Sequence, residues 1–395
     1  MARIFFLLIF IVLTSGIESE TNNELKLKKV LILSRHNIRT PLTKKLQFYS
    51  KKIWPTFNVS TAELTKKGSL LESYMAEYIT EWLETQEFIN GCPEPEEILI
   101  YSNTLARTRD TAKSFAKSVF GSCNISATHN KDINVFDPLF LPIVHNNSEY
   151  FKQKVIEQMK MKLEEVDLQQ AYLELNRILD IQNSDACKKE SICDLSELKN
   201  EIFYENGEEP NVIGPLTIGM NIVDTFLMSF YEGFPLEEVA WGEITTKQKW
   251  ELLSKIIKHS QNVRFTLPVA SKDIAGPLLH YMFSIFRRDA PKFTVLVGHD
   301  SNLNSVINAL EFKEFKLEHQ YEPFPIGGKI VFQKWSNAEN SYLKVEYIYQ
   351  KFLDLRNTVK LSMAHPPERV LLELKDCKTN NDGFCPWNEF MAFNF

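Results

Sequence analysis

Glycine is scarce in this chain, 14 residues in 395. Neither a GxGxxG nor a GxxxxGK[ST] string occurs, so dinucleotide-binding and P-loop chemistry have no footing. There is no Lys/Arg-rich run, and 45 basic against 51 acidic side chains give a net charge of −6. Such a balance offers nothing to nucleic acid. CxxC and HExxH spacings are also missing, which leaves a zinc site little to stand on. Past the N-terminus no stretch is apolar enough to span a membrane. What remains is ordinary: 44% hydrophobic and 24% charged residues, the balance of a globular chain with a sizeable core. At about 150 residues per domain the length points to two or three domains.

The N-terminus reads Met-Ala-Arg, then an uncharged run from Ile4 to Leu13, then Thr14, Ser15 and Gly16. A basic start, a short apolar run and small residues form the pattern of a cleaved signal peptide. The run is about half of the ~20 residues that a spanning helix needs, which weighs against an anchor. We expect residues 1–19 to be the signal, with cleavage between Gly16 and Ser19. The mature protein is then secreted, or periplasmic in a bacterial source, and not attached to a membrane. Six cysteines, at 92, 123, 187, 193, 377 and 385, suit an oxidising compartment. Their pairing is open from sequence, although the short separations 187/193 and 377/385 favour local bridges. Asn58, Asn124 and Asn146 head glycosylation triplets, which also arise by chance.

Lys29 to Ser34 is a short apolar run ending in charged residues, as in a buried parallel strand that delivers a loop. Apolar residues at 71, 74, 75, 78, 79, 82 and 83 have helical spacing. Glu97 to Ser102 reads as a strand and Thr104 to Phe120 as the helix after it. Phe293 to Gly298 is another buried strand, with a helix from about Asn302. Lys329 to Trp335 and Tyr342 to Phe352 read as two strands joined by a polar turn. The stretches 149–182 and 216–285 are mostly helical in pattern. The simplest architecture is α/β, with one α/β domain from both chain ends (25–140 and 285–395) and a mainly α-helical domain (141–284) inserted between them.

The most informative string is Arg35-His36-Asn37-Ile38-Arg39-Thr40-Pro41, directly after the first strand. Open α/β sheets place ligands at such strand ends. Guanidinium groups bind phosphate oxygens in a planar fork. A histidine ringed by cations is driven neutral, leaving a ring nitrogen free to attack. Alone, the string has an equal claim to a structural role. Val297-Gly298-His299-Asp300 shifts that balance, because it too follows a buried strand. His299 adds a donor and Asp300 a proton for a leaving oxygen. Asp300 also reads as a helix N-cap. A third strand end brings Arg107 and Arg109 to the start of a helix, itself an anion-favouring place.

These strings resemble the histidine acid phosphatase family: RHxxRxP, an intervening Arg-Thr, and a later His-Asp after a strand. Within the family the likeness is to the glucose-1-phosphatase branch, where Asn37 replaces the usual glycine. Further likenesses are LTKKGSLLESYM (64–75), GPLTIG (214–219), YEGFPLEEVAWGEI (231–244), VLVGHDSN (295–302), PIGGKIVFQKW (325–335) and DGFCPWNEF (382–390). The resemblance runs from about Leu27 to Phe390. It implies a phosphoglycerate-mutase-like, histidine phosphatase α/β fold. It implies His36 as nucleophile, forming a phosphohistidine, and Asp300 as proton donor. Arg35, Arg39, Arg107 and His299 would hold the phosphate, and Glu209 would contact the sugar, with the adjacent Glu208 as the competing match. It implies bridges Cys92–Cys123, Cys187–Cys193 and Cys377–Cys385, and no metal or other cofactor.

The expected function is a secreted acid phosphatase acting on a small phosphate ester, first of all α-D-glucose 1-phosphate, as a monomer or homodimer. A phytase or broad-specificity acid phosphatase is the alternative. A catalytically silent secreted binding protein is the distant one, since nucleophile and acid are both present. Arg109, two positions from Arg107, is expected to be solvated. Trp82, Trp241 and Trp250 lie in apolar helical patterns and read as core. Trp54 and Pro55 could line the site entrance on proximity in sequence alone.

Overall fold

The computed structural model describes residues 24–393. The signal segment 1–19 lies outside them. Strands are β1 Lys26–Arg35, β2 Ile98–Ser102, β3 Thr128–His129, β4 Glu201–Phe203, β5 Asn211–Ile213, β6 Phe293–Gly298, β7 Lys329–Ser336, β8 Ser341–Tyr349, β9 Glu368–Leu371 and β10 Cys385–Pro386. The helices are α1 Leu46–Tyr49, α2 Lys66–Thr85, α3 Ala106–Phe120, α4 Glu149–Glu164, α5 Gln169–Leu179 and α6 Asp185–Glu190. They continue with α7 Pro215–Glu232, α8 Lys247–Phe265, α9 Pro268–Phe286, α10 Asp300–Ala309, α11 Phe352–Asn357 and α12 Trp387–Met391.

The main sheet has the order β10-β8-β7-β1-β6-β2-β3, with β9 pairing with β8. All its strands come from the two ends of the chain. β1 shows why the sheet is covered on both faces. Val30 and Ile32 join α2 and α3 residues such as Met75, Ile79 and Phe115 in one apolar cluster. Leu31 and Leu33 join α9 and α10 residues such as Met282, Phe283 and Val306 in another. Successive side chains of a strand point to opposite faces, so an unbroken apolar run serves both. A third cluster lies among α5, α7 and α8. Residues 149–286 are mostly helical, with the small β4–β5 pair beside them. The bridges Cys92–Cys123, Cys187–Cys193 and Cys377–Cys385 are all formed. Among the described residues no helix is long and apolar enough to cross a membrane.

Two sequence expectations shift. The strand expected over 342–352 ends at Tyr349, because Phe352 opens α11 and stacks on Phe230 at 4.3 Å. Asp300 is the first residue of α10 and not its cap. That place is His299, whose backbone N–H donates to Asn302 Oδ1 at 2.9 Å.

An ion pair sits where the sheet meets α2. Lys329 Nζ lies 2.8 Å from Glu72 Oε1, with both side chains fully buried. Lys329 also donates to Ser34 Oγ at 2.7 Å, and Glu72 Oε2 accepts from Asn37 Nδ2 at 3.1 Å. Removing one partner strands the other charge in the interior, which costs about 3–5 kcal/mol. Lys329→Met should therefore lower the unfolding free energy in urea by about that much. Lys329→Met with Glu72→Leu should lose less than the single variant. Equal losses would show that packing, and not the stranded carboxylate, sets the cost.

Candidate active site

Strand register assembles the site. In the parallel pairing of β1 and β6, Arg35 lies opposite Gly298. In that of β6 and β2, Val297 lies opposite Ser102. The C-terminal ends of three neighbouring strands therefore release 35–41, 103–109 and 298–300 at one edge. Sequence reasoning expected this convergence from the three strings alone.

His36 is buried, and its Nδ1 lies 2.9 Å from the carbonyl oxygen of Asn37. A carbonyl only accepts, so Nδ1 carries the proton and Nε2 keeps its lone pair. Asn37 is fixed in turn. Its N–H donates to Thr111 Oγ1 at 3.1 Å, its Oδ1 accepts from Ile38 N at 2.9 Å, and its Nδ2 reaches Glu72. Two glycines let the loop pack this closely. A Cβ on Gly68 would meet Ile38 O at 2.3 Å. Gly327, at φ +67°, would carry one 2.6 Å from Asn37 Nδ2. Burial, and then the neighbouring Arg107, His299, Arg39 and Arg35, hold the His36 imidazole well below its ordinary range. That shift favours the neutral, nucleophilic imidazole.

Most of the surrounding cations have carboxylate partners. Arg35 pairs with Glu322 at 2.6 Å and with Asp300 at 3.2 Å, and also donates to Phe324 O. Arg39 forms a two-pronged bond with Asp224, both contacts 2.9 Å. Among the described residues no carboxylate lies within ion-pair distance of Arg107. Burial and Arg39 lower it to about 9, so it is charged throughout the acid range.

His299 shows where its counter-ion belongs. Asn103 Oδ1 accepts from the N–H groups of Thr104 and Asp137, so its Nδ2 must donate to His299 Nε2, 2.8 Å away. Nδ1 of His299 then carries the proton and faces Arg107 Nη2 at 3.5 Å. Two donors turned toward one another call for an acceptor between or beside them. A phosphate oxygen is such an acceptor. His36 and His299 stand edge to face, with ring centres 5.4 Å apart.

Asp300 opens to the crevice, its side chain 31% exposed. Burial pushes its carboxyl up. Arg35, Arg39 and His299 outweigh that and hold it below the ordinary carboxylate range. Glu209 is half-buried, pairs with Arg264 and feels the charge of Asp300. Burial, with that charge, raises its carboxyl despite Arg264. Glu208, the competing match, is exposed. The structure thus brings His36, Arg35, Arg39, Arg107, His299 and Asp300 together, with Glu209 at the edge of the group.

Sequence reasoning did not single out Glu322, Asp224, Asn103 and Arg264. Asn103 alone carried a signal, since it follows a strand inside a string already of interest. Arg109 is half-buried rather than solvated, and its Nε is buried without a partner. Trp82 and Trp250 are core residues, while Trp241 is half-buried. Trp54 stacks on Phe226, two residues from Asp224, and meets Trp241 edge-on at 4.8 Å. Among the described residues no group of three or more His, Cys, Asp or Glu is placed to hold a metal ion.

A strand-end histidine among arginines with an acid beside it defines a phosphate-monoester hydrolase of the histidine phosphatase fold. Comparison agrees. The description "Histidine phosphatase superfamily (branch 2)" matches residues 26–189. A glucose-1-phosphatase of Salmonella typhimurium is 39% identical over 391 residues, covering 96% of this chain and 95% of that protein. One from Providencia rettgeri is 39% identical over 383 residues, covering 94% of this chain and 92% of that protein. Among solved structures, the Citrobacter braakii phytase superposes with a TM-score of 0.84 at 26% identity, covering 93% of this chain and 96% of that one. The chain belongs to branch 2 of the histidine phosphatase superfamily, and it is a phosphoric monoester hydrolase.

Proposed function

We propose that this phosphatase acts on sugar phosphates, glucose 1-phosphate first among them, as an exported enzyme. The observation that carries the substrate reading is Glu209, a half-buried carboxylate paired with Arg264 and within electrostatic reach of Asp300. A carboxylate there accepts bonds from sugar hydroxyls. The 39% identical relatives that bear the glucose-1-phosphatase name support it. Three disulfides and the N-terminal pattern support export.

In this reading His36 Nε2 attacks the phosphorus in line while the bond to the sugar oxygen breaks. Asp300 gives that oxygen its proton. Arg35, Arg39, Arg107 and His299 carry the charge on the phosphoryl oxygens, the work done elsewhere by Mg²⁺. Water then attacks the phosphohistidine, its proton passes to the Asp300 carboxylate, and orthophosphate leaves.

The second reading, a phytase, is favoured by the fold match to phytases and by a phytase of Escherichia coli that is 27% identical. One variant separates the two. A hydrogen bond to a charged group is worth about 1.5–3 kcal/mol, so Glu209→Ala should lower kcat/KM for glucose 1-phosphate about 10- to 100-fold. p-Nitrophenyl phosphate, with no hydroxyls to read, should change little. Phytate turnover should hold or rise, because the change frees the Arg264 cation beside a substrate rich in phosphates. Equal losses on all three substrates would make Glu209 structural and remove the sugar reading.

A further inference from the structure

Between β3 and Phe140 the chain runs beside His299. Phe136 sits there with 38% of its surface exposed, its ring centre 6.2 Å from that of His299 at 45°. It belongs to none of the three apolar clusters. A part-exposed aromatic beside a pocket of arginines gains nothing from water.

The backbone on both sides of it is tied down. Thr104 Oγ1 donates to Val135 O at 2.7 Å, just before Phe136. Just after it, Asp137 N donates to Asn103 Oδ1 at 3.3 Å, and the Asp137 carboxylate accepts from Leu139 N at 2.9 Å and from Tyr101 OH. Asn302 Nδ2 closes the segment on Phe140 O at 3.0 Å. Asn103 is the same side chain that orients His299. The loop holding Phe136 and the His299 imidazole therefore share one anchor, Asn103.

We propose that Phe136 is a stacking platform for the ring of the leaving group, sugar or aryl, and so a specificity-determining residue of this phosphatase. The proposal rests on the phosphate lying by Arg107 and His299. On that placement a substituent leaving the crevice on the His299 side meets the exposed part of the ring. A pyranose presents an apolar C–H face and an aryl ester a π face, and both lie flat on an aromatic. Phe136 and Glu209 then divide the recognition: one takes the face of the ring, the other its hydroxyls.

The test compares Phe136→Leu, which keeps apolar bulk but loses the flat face, with Phe136→Tyr, which keeps it. The readouts are kcat/KM for glucose 1-phosphate, p-nitrophenyl phosphate and the ringless glycerol 3-phosphate, with competitive inhibition by orthophosphate. Aromatic contacts of this kind set the expected size. The ratio of either ring ester to glycerol 3-phosphate should fall about 3- to 10-fold in Phe136→Leu, mostly through KM, and return in Phe136→Tyr. The orthophosphate inhibition constant should stay within about twofold of wild type. If all three esters and orthophosphate weaken together, Phe136 only shields His299 and the platform is overturned. If orthophosphate fails to compete in the wild-type enzyme, the phosphate placement is wrong, a separate failure. A loss confined to glucose 1-phosphate would show that Phe136 does not act on rings in general and would also overturn the stacking claim.

Discussion

His36→Ala is expected to lose about four orders of magnitude or more in turnover while the enzyme still binds orthophosphate. Removing a nucleophile abolishes the covalent route altogether, so the loss is of the size seen for such groups elsewhere. Binding survives because the cations do not lean on the imidazole. Arg35 is held by Glu322 and Phe324 O, and Arg39 by both oxygens of Asp224. Arg107 keeps its unmet charge. Orthophosphate should therefore raise the unfolding temperature of the variant as it does that of the wild type. Acid-quenched wild-type enzyme should carry an acid-labile phosphate on His36, and the variant none. Retained turnover would remove His36 as nucleophile. Loss of phosphate binding would mean that the imidazole also holds the arginines in place.

The parts of this site that sequence reveals are those written as unbroken strings. Arg35 to Arg39, Asn103 to Arg107 and His299-Asp300 each sit at a strand end. Their strands show themselves as short apolar runs, so convergence at one edge could be argued before any coordinate. The partners that set the charges are hidden for the opposite reason. Glu322 lies 287 residues from Arg35, and Asp224 lies 185 from Arg39. Lys329 meets Glu72 across 257 residues. Nothing local marks Lys329 as buried, since a lysine at the start of a strand usually faces water. Arg264 was hidden in the same way, on the last turn of a helix that otherwise reads as packing. The short strands β3, β4, β5, β9 and β10 were also missed. They carry two to four residues each, too few for a period to show.

Asp300→Asn should separate substrates by their leaving groups, and its pH behaviour follows from the charges around it. Burial pushes the Asp300 carboxyl up, but Arg35, Arg39 and His299 outweigh it and hold the group below its ordinary value. The free enzyme is therefore ionised there in mild acid and above. A bound phosphate brings negative charge beside the carboxylate and pushes its pKa up, so the proton needed for the leaving oxygen is taken up as substrate binds. The sign is fixed: kcat/KM for a sugar phosphate falls as pH rises, because the proton becomes scarcer. His36 is shifted in the direction that favours its nucleophilic form, since burial and its cationic neighbours hold the imidazole well below its ordinary range. Asparagine holds the shape and supplies no proton. Glucose 1-phosphate, whose alkoxide departs poorly unprotonated, should lose about 10²- to 10⁴-fold in kcat, the usual worth of a general acid. p-Nitrophenyl phosphate should lose far less, because its phenolate leaves as a stable anion. The decline of kcat/KM with pH should flatten in the variant for the sugar ester. Arg35 keeps Glu322, so the phosphate pocket retains its charge and orthophosphate inhibition should persist. Equal losses on both esters would show that Asp300 acts by placing Arg35, with the proton coming from elsewhere.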